Sequence, residues 1–599
     1  MRIKVSDYIA RFLAKNKIEH VFTVVGGGAM HLNDSLGHCD CLRCIYVHHE
    51  QAASIAAESF ARINGEIAAV CVTTGPGGIN ALTGVCGAYL DSVPMLVISG
   101  QVRYETTARS TGLDLRAMGD QEFDIVKSAE AMTKLAVMVQ NPADIRYWLE
   151  KALYTALSGR QGPAWLDIPL DVQGAYVNDD ELIGYVREDI DAPIDASVYN
   201  TIIEKIKNAK RPVLNAGNAI RLSLGFESFR RVADLLNIPV VTGWNSIDLI
   251  EDDNPLYAGR AGIMGDRAGN FAVQNSDLVL SIGSRLSIRQ VGYNYKSWAR
   301  DAYVIMVDID SQELKKPSLH VDLPICADCK DFLDGLYEVL GGKALPKKEQ
   351  WLSRCALWRE KYPVVTPKHL ENGDANVYAF IKKISQAIEE NTITVVGNGS
   401  ASVVGSHAFV IKKGSRFIIN SAIASMGYDL PAATGACFAS GGEDVICITG
   451  DGSIQMNIQE LQTIVHHKLP VKLFVINNGG YHSIRQTQSK FFGGPLIGIG
   501  IDSGDLSFPS LKRIAYAYDI PYFYADKTQK LEDTVRKALA LPGYVLAEIV
   551  VTTDQAFEPK AASKIDSNGQ MRSAPLEDLY PFLPEEELKE NMIIPLWKE

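Results

Sequence analysis

The sequence predicts an α/β protein made of three doubly wound domains, each built around a parallel sheet. Its 599 residues are too many for a single hydrophobic core. Short apolar runs alternate with helical patterns along most of the chain, which is typical of βαβ units. Glycine-rich turns follow several apolar runs, at the edge where open parallel sheets bind ligands. We expect domains over residues 1–175, 196–340 and 376–560, and a polar C-terminal tail over 561–599.

Composition and charge argue against several classes of function. Hydrophobic residues make up 47% and charged residues 22% of the chain, as in ordinary globular proteins. The formal net charge of −12 disfavours non-specific nucleic-acid binding. No apolar run approaches the roughly 20 residues of a membrane span, and the first residues lack a continuous signal-peptide core. We expect a cytoplasmic protein without nucleic-acid or membrane partners, whose ten cysteines are reduced and mostly structural.

The first domain contains two turns with candidate active-site residues. Residues 21–25 form an apolar run that predicts a strand, and the glycines after it include Gly27. Backbone N–H groups in such a turn suit developing negative charge on a substrate. Residues 44–47 predict the next strand, which ends just before Glu50 and a helix. Taken alone, Glu50 would be a solvated residue in the first turn of that helix, where the helix dipole favours a carboxylate.

The most specific pattern in the chain is a strand, a helix and a strand over residues 445–476. A helical crossover makes the two strands parallel, so both end at the same edge of the sheet. Asp451 follows the first strand and Asn478 follows the second, and both offer the oxygen ligands that Mg²⁺ prefers beside phosphate. Gly450 and Gly452 permit close approach of a diphosphate. An ordinary strand-end turn would use the same residue types, and a lone Gly-Asp-Gly would favour it.

The Gly-Asp-Gly and Asn-Asn pairs at this separation resemble the thiamine diphosphate (ThDP) signature of the decarboxylase and acetolactate synthase superfamily. The His-Glu-Gln sequence around Glu50 and the Leu-Pro-Ala-Ala sequence after Met426 resemble further motifs of that family. The resemblance to the acetolactate synthase large-subunit branch covers nearly all of residues 1–560. It implies a pyrimidine-binding first domain, a central Rossmann-like domain and a diphosphate-binding third domain. It also implies ThDP and Mg²⁺ as cofactors, and a homodimer or homotetramer with active sites at the subunit interface.

The resemblance assigns roles to individual residues. It implies that Glu50 hydrogen-bonds the pyrimidine N1′ and activates the cofactor, and that Met426 lies beneath the thiazolium ring. It makes Asp451, Asn478 and the backbone carbonyl of Gly480 the Mg²⁺ ligands. The implied catalytic residues are Glu50, Gln121 and Gly27. The implied cofactor-binding residues are Thr73, Pro76, Asn80, Gly397, Asn398, Gly399, Ser400, Met426, Gly450, Asp451, Gly452, Ser453, Asn478, Gly480 and Tyr481.

For the central domain the resemblance leaves two alternatives. Acetolactate synthases bind FAD there without a redox role, and related decarboxylases keep the same fold without binding anything. The stretch over residues 283–292 is less acidic than its counterpart in the family. The domain therefore either binds FAD or is vestigial. The positions that match the family's FAD site are Arg160, Gly217, Arg285, Asp308 and Asp328.

The resemblance implies a ThDP- and Mg²⁺-dependent carboligase. Such an enzyme decarboxylates a 2-ketoacid, here expected to be pyruvate, and transfers the two-carbon acyl unit to an acceptor carbonyl, as in branched-chain amino acid biosynthesis. Asp120 and Thr487 depart from the family, which has Phe and Trp at these positions. A smaller and more polar pair predicts a larger, more hydroxylated acceptor, such as a keto-sugar nucleotide in surface polysaccharide biosynthesis.

Several alternatives stay open at this point. The chain could be a simple 2-ketoacid decarboxylase or a non-catalytic ThDP-binding homologue, although the retained motif residues speak against the latter. His31 is either catalytic or part of a helix surface. The C-terminal tail is either a lid over the active site or plain surface, and Lys560 and Lys564 within it would meet an anionic acceptor in the first case.

Overall fold

The structure is a computed structural model that describes residues 1–187, 194–565 and 569–598. Three six-stranded sheets follow one another along the chain, and all their strands run parallel. Residues on alternate sides of each strand enter separate buried clusters, so each sheet is covered on both faces. The predicted α/β architecture of three doubly wound domains is therefore confirmed.

The first domain has its parallel strands in the order β3-β2-β4-β5-β7-β6, and β1 pairs with β8 in a separate antiparallel ribbon. The strands are β1 Arg2–Lys4, β2 His20–Thr23, β3 Arg43–Tyr46, β4 Ala69–Val72, β5 Met95–Gln101, β6 Leu135–Met138, β7 Pro163–Pro169 and β8 Tyr176–Asn178. The helices are α1 Val5–Lys15, α2 Met30–Gly37, α3 Glu50–Asn64, α4 Pro76–Asp91, α5 Ala108–Thr111, α6 Ile125–Ala129, α7 Ile145–Leu157 and α8 Leu170–Gly174.

The central domain has the strand order β11-β10-β9-β12-β13-β14. Its strands are β9 Pro212–Ala216, β10 Val240–Thr242, β11 Tyr257–Arg260, β12 Leu278–Ile282, β13 Tyr303–Asp308 and β14 Leu323–Cys326. Its helices are α9 Ala196–Asn208, α10 Ala219–Leu222, α11 Phe226–Leu236, α12 Arg267–Gln274, α13 Ile288–Val291 and α14 Cys329–Leu340, and α15 Glu349–Lys361 follows in the stretch that leads to the third domain.

The third domain has the strand order β16-β15-β17-β18-β20-β19. Its strands are β15 Ile393–Val396, β16 Arg416–Ile419, β17 Val445–Gly450, β18 Val471–Asn477, β19 Tyr522–Ala525 and β20 Val545–Val550. Its helices are α16 Val377–Ala387, α17 Ser400–Ala408, α18 Asp429–Ala439, α19 Glu460–His467, α20 His482–Phe491, α21 Leu511–Ala517 and α22 Thr528–Ala540. The tail adds β21 Ser563–Ile565, β22 Met571–Ser573 and α23 Glu585–Asn591.

The tail packs along the central domain. The N–H of Ala561 donates to the carbonyl of Ile263 at 2.7 Å, and Asn275 donates to the carbonyl of Asn591 at 3.1 Å. Leu576 and other apolar side chains of the tail join a buried cluster of the central domain. Residues 188–193, between the first and central domains, lie outside the described residues, as do residues 566–568 and 599 of the tail.

The state of the cysteines and the character of the helices bear on two of the predictions made from sequence. All ten cysteines are free thiols, and no three His, Cys, Asp or Glu side chains converge within the described part of the chain. Within the same ranges, no helix combines the length and apolar character required to cross a bilayer.

Helices α3 and α18 hold the first and third domains together at close range. Small residues line the contact. A Cβ added at Gly435 would lie 2.0 Å from the carbonyl oxygen of Ala56, so the two helices approach this closely only with glycine at position 435. The Ser59 hydroxyl donates across the contact to the carbonyl of Ala432 at 2.7 Å. The two helices run antiparallel, since residues later in α18 meet residues earlier in α3.

A buried ionic network reinforces this contact. Arg62 on α3 donates to Glu58 at 2.6 Å and to Asp91 on α4 at 2.8 Å. The Tyr428 hydroxyl of the third domain donates to Glu58 at 2.7 Å, and the N–H of Ser421 donates to Asp91 at 2.9 Å. All three charged side chains are almost completely buried. The network therefore links two domains through a single guanidinium.

Replacing Arg62 with Met is expected to lower the free energy of unfolding by about 3–5 kcal/mol, because Glu58 and Asp91 would stay buried without their shared cation. Chemical denaturation followed by circular dichroism measures the change. The matched control is Lys537→Met, which removes an exposed pair with Asp533 and should change stability by less than about 1 kcal/mol. Equal effects of the two substitutions would contradict the role given to this network.

Candidate active site

The Glu50 carboxylate lies at the first turn of α3, beside the start of α4. Asn80 on α4 donates to Glu50 Oε2 at 3.0 Å, which fixes the orientation of the carboxylate. The other oxygen, Oε1, faces Gly77, where an added Cβ would lie 3.7 Å away. Among the residues that the structure describes, Oε1 accepts no hydrogen bond. Glu50 is therefore held in place with one oxygen available to a ligand.

The glycine turn after β2 is tied to the end of β4, close to Glu50. Gly28 donates its N–H to Thr73 Oγ1 at 3.0 Å, and Gly26 donates to Asn33 Oδ1 at 3.2 Å. The N–H of Gly27, between them, has no partner within the described ranges, and Gly27 is exposed. The structure thus brings Gly27, Thr73 and Glu50 together with one unused backbone donor.

Gln121 lies beside the turn that contains Pro76. Its backbone has a φ of 59°, and a Cβ added at Gly75 would lie 2.5 Å from the Gln121 carbonyl oxygen. This close approach requires glycine at position 75. Glu122, which sequence reasoning missed, holds the segment: its buried carboxylate accepts from the N–H groups of Ala108, Met118 and Gly119 at 2.6–3.0 Å. The sequence analysis assigns Glu122 no role, since that role exists only in the folded turn.

His31 lies at the start of α2, away from these contacts. It is half-buried, and a Cβ added at Gly174 would lie 3.0 Å from its Nε2 atom. Its ring therefore packs against the end of α8.

Asp451 and Asn478 end the neighbouring parallel strands β17 and β18, and both side chains are buried. Asp451 Oδ1 accepts from the N–H of Gly452 at 3.0 Å, and Asn478 donates through Nδ2 to Ser400 Oγ at 3.0 Å. Asp451 Oδ2 and Asn478 Oδ1 are buried without a hydrogen-bond partner among the described residues. A buried polar atom without a partner is rare and destabilising, so this pair indicates a missing cation.

Arg485 fixes the loop that carries the Asn478 side chain. It donates to the carbonyl oxygens of Asn478 at 3.0 Å and of Gly479 at 3.1 Å, and it pairs with Asp502 at 2.9 Å. Burial raises the pKa of Asp451 to about 7, and the backbone N–H groups of Gly480 and Gly452, followed by the nearby Arg485 charge, oppose this rise. The sequence analysis assigns no role to Arg485, because a contact to backbone carbonyls leaves no trace in spacing.

Gly480, the third predicted ligand, has a φ of 130° and lies against the next loop. A Cβ added there would be 2.1 Å from the carbonyl oxygen of Ile499, so the position requires glycine. Its own carbonyl oxygen accepts from the N–H of His482 at 3.0 Å. Because a carbonyl has two lone pairs, one remains for a metal.

The turn over residues 397–400 connects β15 to α17 beside this pair. A Cβ added at Gly397 would lie 2.4 Å from Asp429, whereas Gly399 has a φ of 81° and open space around it. Asn398 donates to the carbonyl of Ala424 at 2.7 Å, which fixes the turn. The first N–H groups of α17 lack intrahelical partners, and the positive end of a helix suits a phosphate.

The remaining predicted residues border the same space. Met426 is half-buried just before α18, and the N–H of the next residue, Gly427, donates to Ser453 Oγ at 3.0 Å. The Tyr481 ring packs on Gly452, where an added Cβ would lie 2.4 Å from Tyr481 Cε1. The structure thus gathers the predicted diphosphate-side residues at one edge of the third sheet.

In a single chain, the Glu50 cluster and the diphosphate-side cluster lie at opposite ends of the α3–α18 contact. Tyr428, two residues after Met426, bonds to Glu58, and Glu58 lies eight residues along α3 from Glu50, or about 12 Å. The large apolar side chains exposed near Glu50 are Val25, Met30 and Ile79. The two clusters are therefore separated along α3 within one chain.

A cavity of about 1540 Å³ lies at the carboxyl ends of the central strands. Arg289, which the sequence analysis did not single out, lines it and stacks over Trp244 at 4.8 Å, and burial lowers the pKa of its guanidinium. Arg160, by contrast, is paired with Asp310 at 3.0 Å and Glu313 at 2.9 Å. The positions predicted for FAD that line the cavity are Arg160, Gly217, Arg285, Asp308 and Asp328.

The cavity fits a dinucleotide in size and in chemistry. It exceeds the roughly 300–1,000 Å³ of ordinary small-molecule pockets. Arg285 and Arg289 have no acid partner among the described residues and suit phosphates. Asp308 is the last residue of β13 and Asp328 follows β14, at strand ends where acidic side chains accept from ribose hydroxyls.

The third domain likewise fits Mg²⁺ and a diphosphate. Asp451 Oδ2 and Asn478 Oδ1 are the unpartnered oxygens, and the carbonyl of Gly480 adds a third. The turn over residues 397–400 supplies backbone donors beside them. These observations concern donors and burial, and they are independent of the family resemblance.

Comparison with known proteins gives three family matches in chain order. Residues 3–128 match the thiamine pyrophosphate enzyme N-terminal TPP binding domain, residues 199–336 the central domain, and residues 397–549 the C-terminal TPP binding domain. The acetolactate synthase large subunit of Cyanidium caldarium is 30% identical over 93% of this chain and 95% of its own length. That of Porphyra purpurea is 31% identical over 93% of each chain, and the probable large subunit of Methanocaldococcus jannaschii is 29% identical over 93% of each.

Replacing Asp451 with Asn keeps the shape of the side chain and removes its charge. We expect the variant to lose Mg²⁺-dependent binding of ThDP, measured by isothermal titration calorimetry, because a neutral amide replaces the anionic ligand. Without metal, we expect it to unfold at a higher temperature than the wild type at pH 8, since a buried carboxylate oxygen without a partner is destabilising. Asp253→Asn, at an exposed position, is the control. Binding of ThDP with unchanged affinity would contradict the assignment of Asp451.

Proposed function

The chain belongs to the thiamine pyrophosphate enzymes, in their acetolactate synthase large-subunit branch, and on that premise we propose that it is a Mg²⁺-dependent carboligase with pyruvate as donor. In this reaction, pyruvate loses CO₂ and its remaining two carbons join the carbonyl carbon of an acceptor. The proposal rests above all on the buried, unpartnered oxygens of Asp451 and Asn478. Thiamine diphosphate supplies, when bound, the electron sink that makes loss of CO₂ from a 2-ketoacid feasible.

The residues around Glu50 would prepare the pyrimidine side of the cofactor. The free Oε1 atom of Glu50 would hold a proton at the pyrimidine N1′, and Asn80 keeps the carboxylate in the orientation that this requires. Thr73 and Pro76 border the same space, at the end of β4 and the start of α4. Burial of Glu50 by a partner chain would lower the polarity around its carboxylate. A hydrogen bond between a carboxylate and a ring nitrogen is stronger in such surroundings.

Gly27 and Gln121 are proposed to act on the substrate. The unused N–H of Gly27 would donate to the carbonyl oxygen of the 2-ketoacid as negative charge develops there. The exposed side chain of Gln121 lies next to the Gly75–Pro76 turn and would orient the substrate. Met426 would support the cofactor from beneath, since it is half-buried beside the diphosphate-side cluster.

We further propose that the active site is completed by a second copy of the chain. Glu50 and the Asp451 cluster lie toward opposite ends of the α3–α18 contact, which favours a cofactor held between two chains over one held by a single chain. The apolar side chains exposed near Glu50, including Val25 at 60%, would be covered in a homodimer. A two-fold arrangement would join each Glu50 half-site to the diphosphate half-site of the partner.

A second candidate concerns the acceptor, which we propose is larger and more hydroxylated than a second pyruvate. Thr487 on α20 is exposed, and Ser483 lies one turn before it on the same face. Asp120, on the other half-site, is also exposed. Short hydroxyl side chains leave space along α20 that a bulky aromatic side chain would fill. Synthesis of acetolactate from two pyruvates is the alternative within the same class.

In the central cavity we propose a bound dinucleotide, with FAD as the first candidate. Arg285 and Arg289 would bind its phosphates, and Asp308 and Asp328 its ribose hydroxyls. Such a ligand would stabilise the domain by filling a large cavity, whether or not it has a redox role.

Replacing Glu50 with Gln is expected to reduce CO₂ release from pyruvate by at least 100-fold, because an amide cannot hold the proton at N1′. Binding of ThDP and Mg²⁺, measured by calorimetry, should stay within about threefold of the wild type. Glu66→Gln, at an exposed position on the loop after α3, is the matched control and should leave both unchanged. Wild-type turnover by the Glu50 variant would contradict the role proposed for Glu50 in activating the cofactor.

Mixing the inactive Glu50→Gln and Asp451→Asn chains extends this test to the assembly. If sites form between protomers, co-refolded or co-expressed mixtures should regain about one quarter of wild-type activity, because half of the dimers are mixed and one site in each is intact. No recovery would contradict the shared active site.

The protein purified without added cofactors is expected to release a yellow compound on heat denaturation. The flavin absorption of this compound should correspond to nearly one flavin per protein chain. Arg289→Gln should lower the yield, since it removes a phosphate partner in the cavity. Lys343→Gln, at an exposed position of the same domain, is the control. A colourless protein that also fails to bind added FAD in calorimetry would contradict the FAD proposal.

A further inference from the structure

Helix α20 begins directly after the predicted metal ligands, and one of its sides is fixed to the protein. His482 and Gln486 both lie within hydrogen-bond distance of the carbonyl oxygen of Gln555, at 2.8 and 2.9 Å. Arg485 pairs with Asp502 at 2.9 Å. These contacts determine which side of the helix is open.

Ser483, Thr487 and Lys490 lie on the open side of α20, at positions i, i+4 and i+7. Thr487 and Lys490 are exposed, and Ser483 is half-buried. The stripe starts within a few residues of Asn478 and Gly480, and Lys490 lies about 10 Å along the helix from Ser483. A molecule that occupies the stripe can therefore extend from the metal-side cluster to the Lys490 ammonium.

Lys560 brings a second ammonium to the far end of this stripe. Its backbone forms an antiparallel bridge with Tyr580, with hydrogen bonds of 3.0 and 2.7 Å, so the two side chains leave the bridge on the same side. The Lys490 ammonium lies 5.8 Å from the centre of the Tyr580 ring. Lys490 and Lys560 are thus grouped around one aromatic side chain.

These two ammonium groups lack a counter-ion. Neither has a hydrogen-bonded or ion-paired acid among the residues that the structure describes, and Lys560 is half-buried. Burial lowers the pKa of Lys560, and the charge of Lys490 lowers it further, whereas the Glu558 carboxylate nearby acts in the opposite direction. Lys564, on strand β21 of the same tail, is instead paired with Asp578. A concentration of positive charge without an acid suits an anionic ligand.

We propose that Lys490 and Lys560 bind a phosphate group of the acceptor substrate, at the end of the α20 stripe away from the metal-side cluster. The inference rests on the proposed function, because it assigns the acceptor of that same reaction to a chemical class, a phosphorylated keto sugar. The carboxylate of a 2-ketoacid is adjacent to its carbonyl carbon, so it cannot reach a site about 10 Å from the start of the stripe. Two ammonium groups match the charge of a phosphate dianion.

Binding of glucose 1-phosphate to the complete protein tests the proposal. The probe carries a phosphate on a hexose without a reactive ketone, and saturating ThDP and Mg²⁺ occupy the diphosphate site. Calorimetry is expected to detect glucose 1-phosphate but not glucose. Lys490→Gln and Lys560→Gln should each weaken binding at least fivefold, and Lys490→Arg should retain it, which shows that charge rather than folding is responsible.

Two controls separate this site from other sources of affinity. Lys564→Gln removes a tail lysine that already has an acid partner, and Lys527→Gln removes a lysine of the third domain that is paired with Asp374. Both should bind glucose 1-phosphate as the wild type does. Unchanged binding by the double variant of Lys490 and Lys560, or an equal loss of binding with Lys527→Gln, would overturn the proposal.

CO₂ release from pyruvate by the wild type, measured in the same preparation, distinguishes the two levels of inference. Normal CO₂ release together with phosphate binding that ignores Lys490 and Lys560 overturns the phosphate site alone. Absence of CO₂ release with ThDP and Mg²⁺ present overturns the proposed function, and the acceptor site with it.

Discussion

The structure depends most on the placement of two oxygen atoms at the ends of adjacent parallel strands. Asp451 Oδ2 and Asn478 Oδ1 are buried without partners among the described residues, and such atoms are destabilising unless a cation binds them. Parallel strands β17 and β18 bring them together, because a helical crossover makes both strands end at one edge. Arg485 and the neighbouring glycines hold the loops after β17 and β18 close to each other. The loops and strand ends of the third domain therefore keep the Asp451 and Asn478 oxygens buried and close together.

A second constraint, the packing of α3 against α18, separates the Glu50 cluster from the diphosphate side. Small residues let α3 and α18 approach until a Cβ at Gly435 would collide with α3, and the network around Arg62 locks this contact. The contact places the Glu50 cluster at one end and the diphosphate side at the other. In the shared-site arrangement that we propose, this packed helix pair keeps the two clusters apart within one chain and leaves each of them to a partner chain.

Much of this was predictable from sequence where a short motif and a strand end coincide. The three sheets, the positions of Asp451 and Asn478 at one edge, and Glu50 at a helix start all follow from periodicity and turn residues. Glu122, Arg485 and Arg289 were not assigned roles, because each acts on backbone or aromatic groups that are brought to it only by the fold. The antiparallel pairing of β8 with β1 was also missed, since the stretch around residue 177 lacks a clear period and pairs with residues almost the whole domain away.

At the acceptor end of the site, a single substitution can be interpreted only together with the residues around it. Thr487 alone indicates only a missing aromatic side chain, but on an open helix face with Ser483 and Lys490 it marks a continuous polar stripe. The most direct measurement is incubation of the purified protein with ThDP, Mg²⁺ and pyruvate, with CO₂ and acetolactate followed together. We expect CO₂ release that requires both cofactors, with far less acetolactate than CO₂. Acetolactate formed in step with CO₂ would contradict the larger acceptor, and no cofactor-dependent CO₂ release would contradict the proposed enzyme itself.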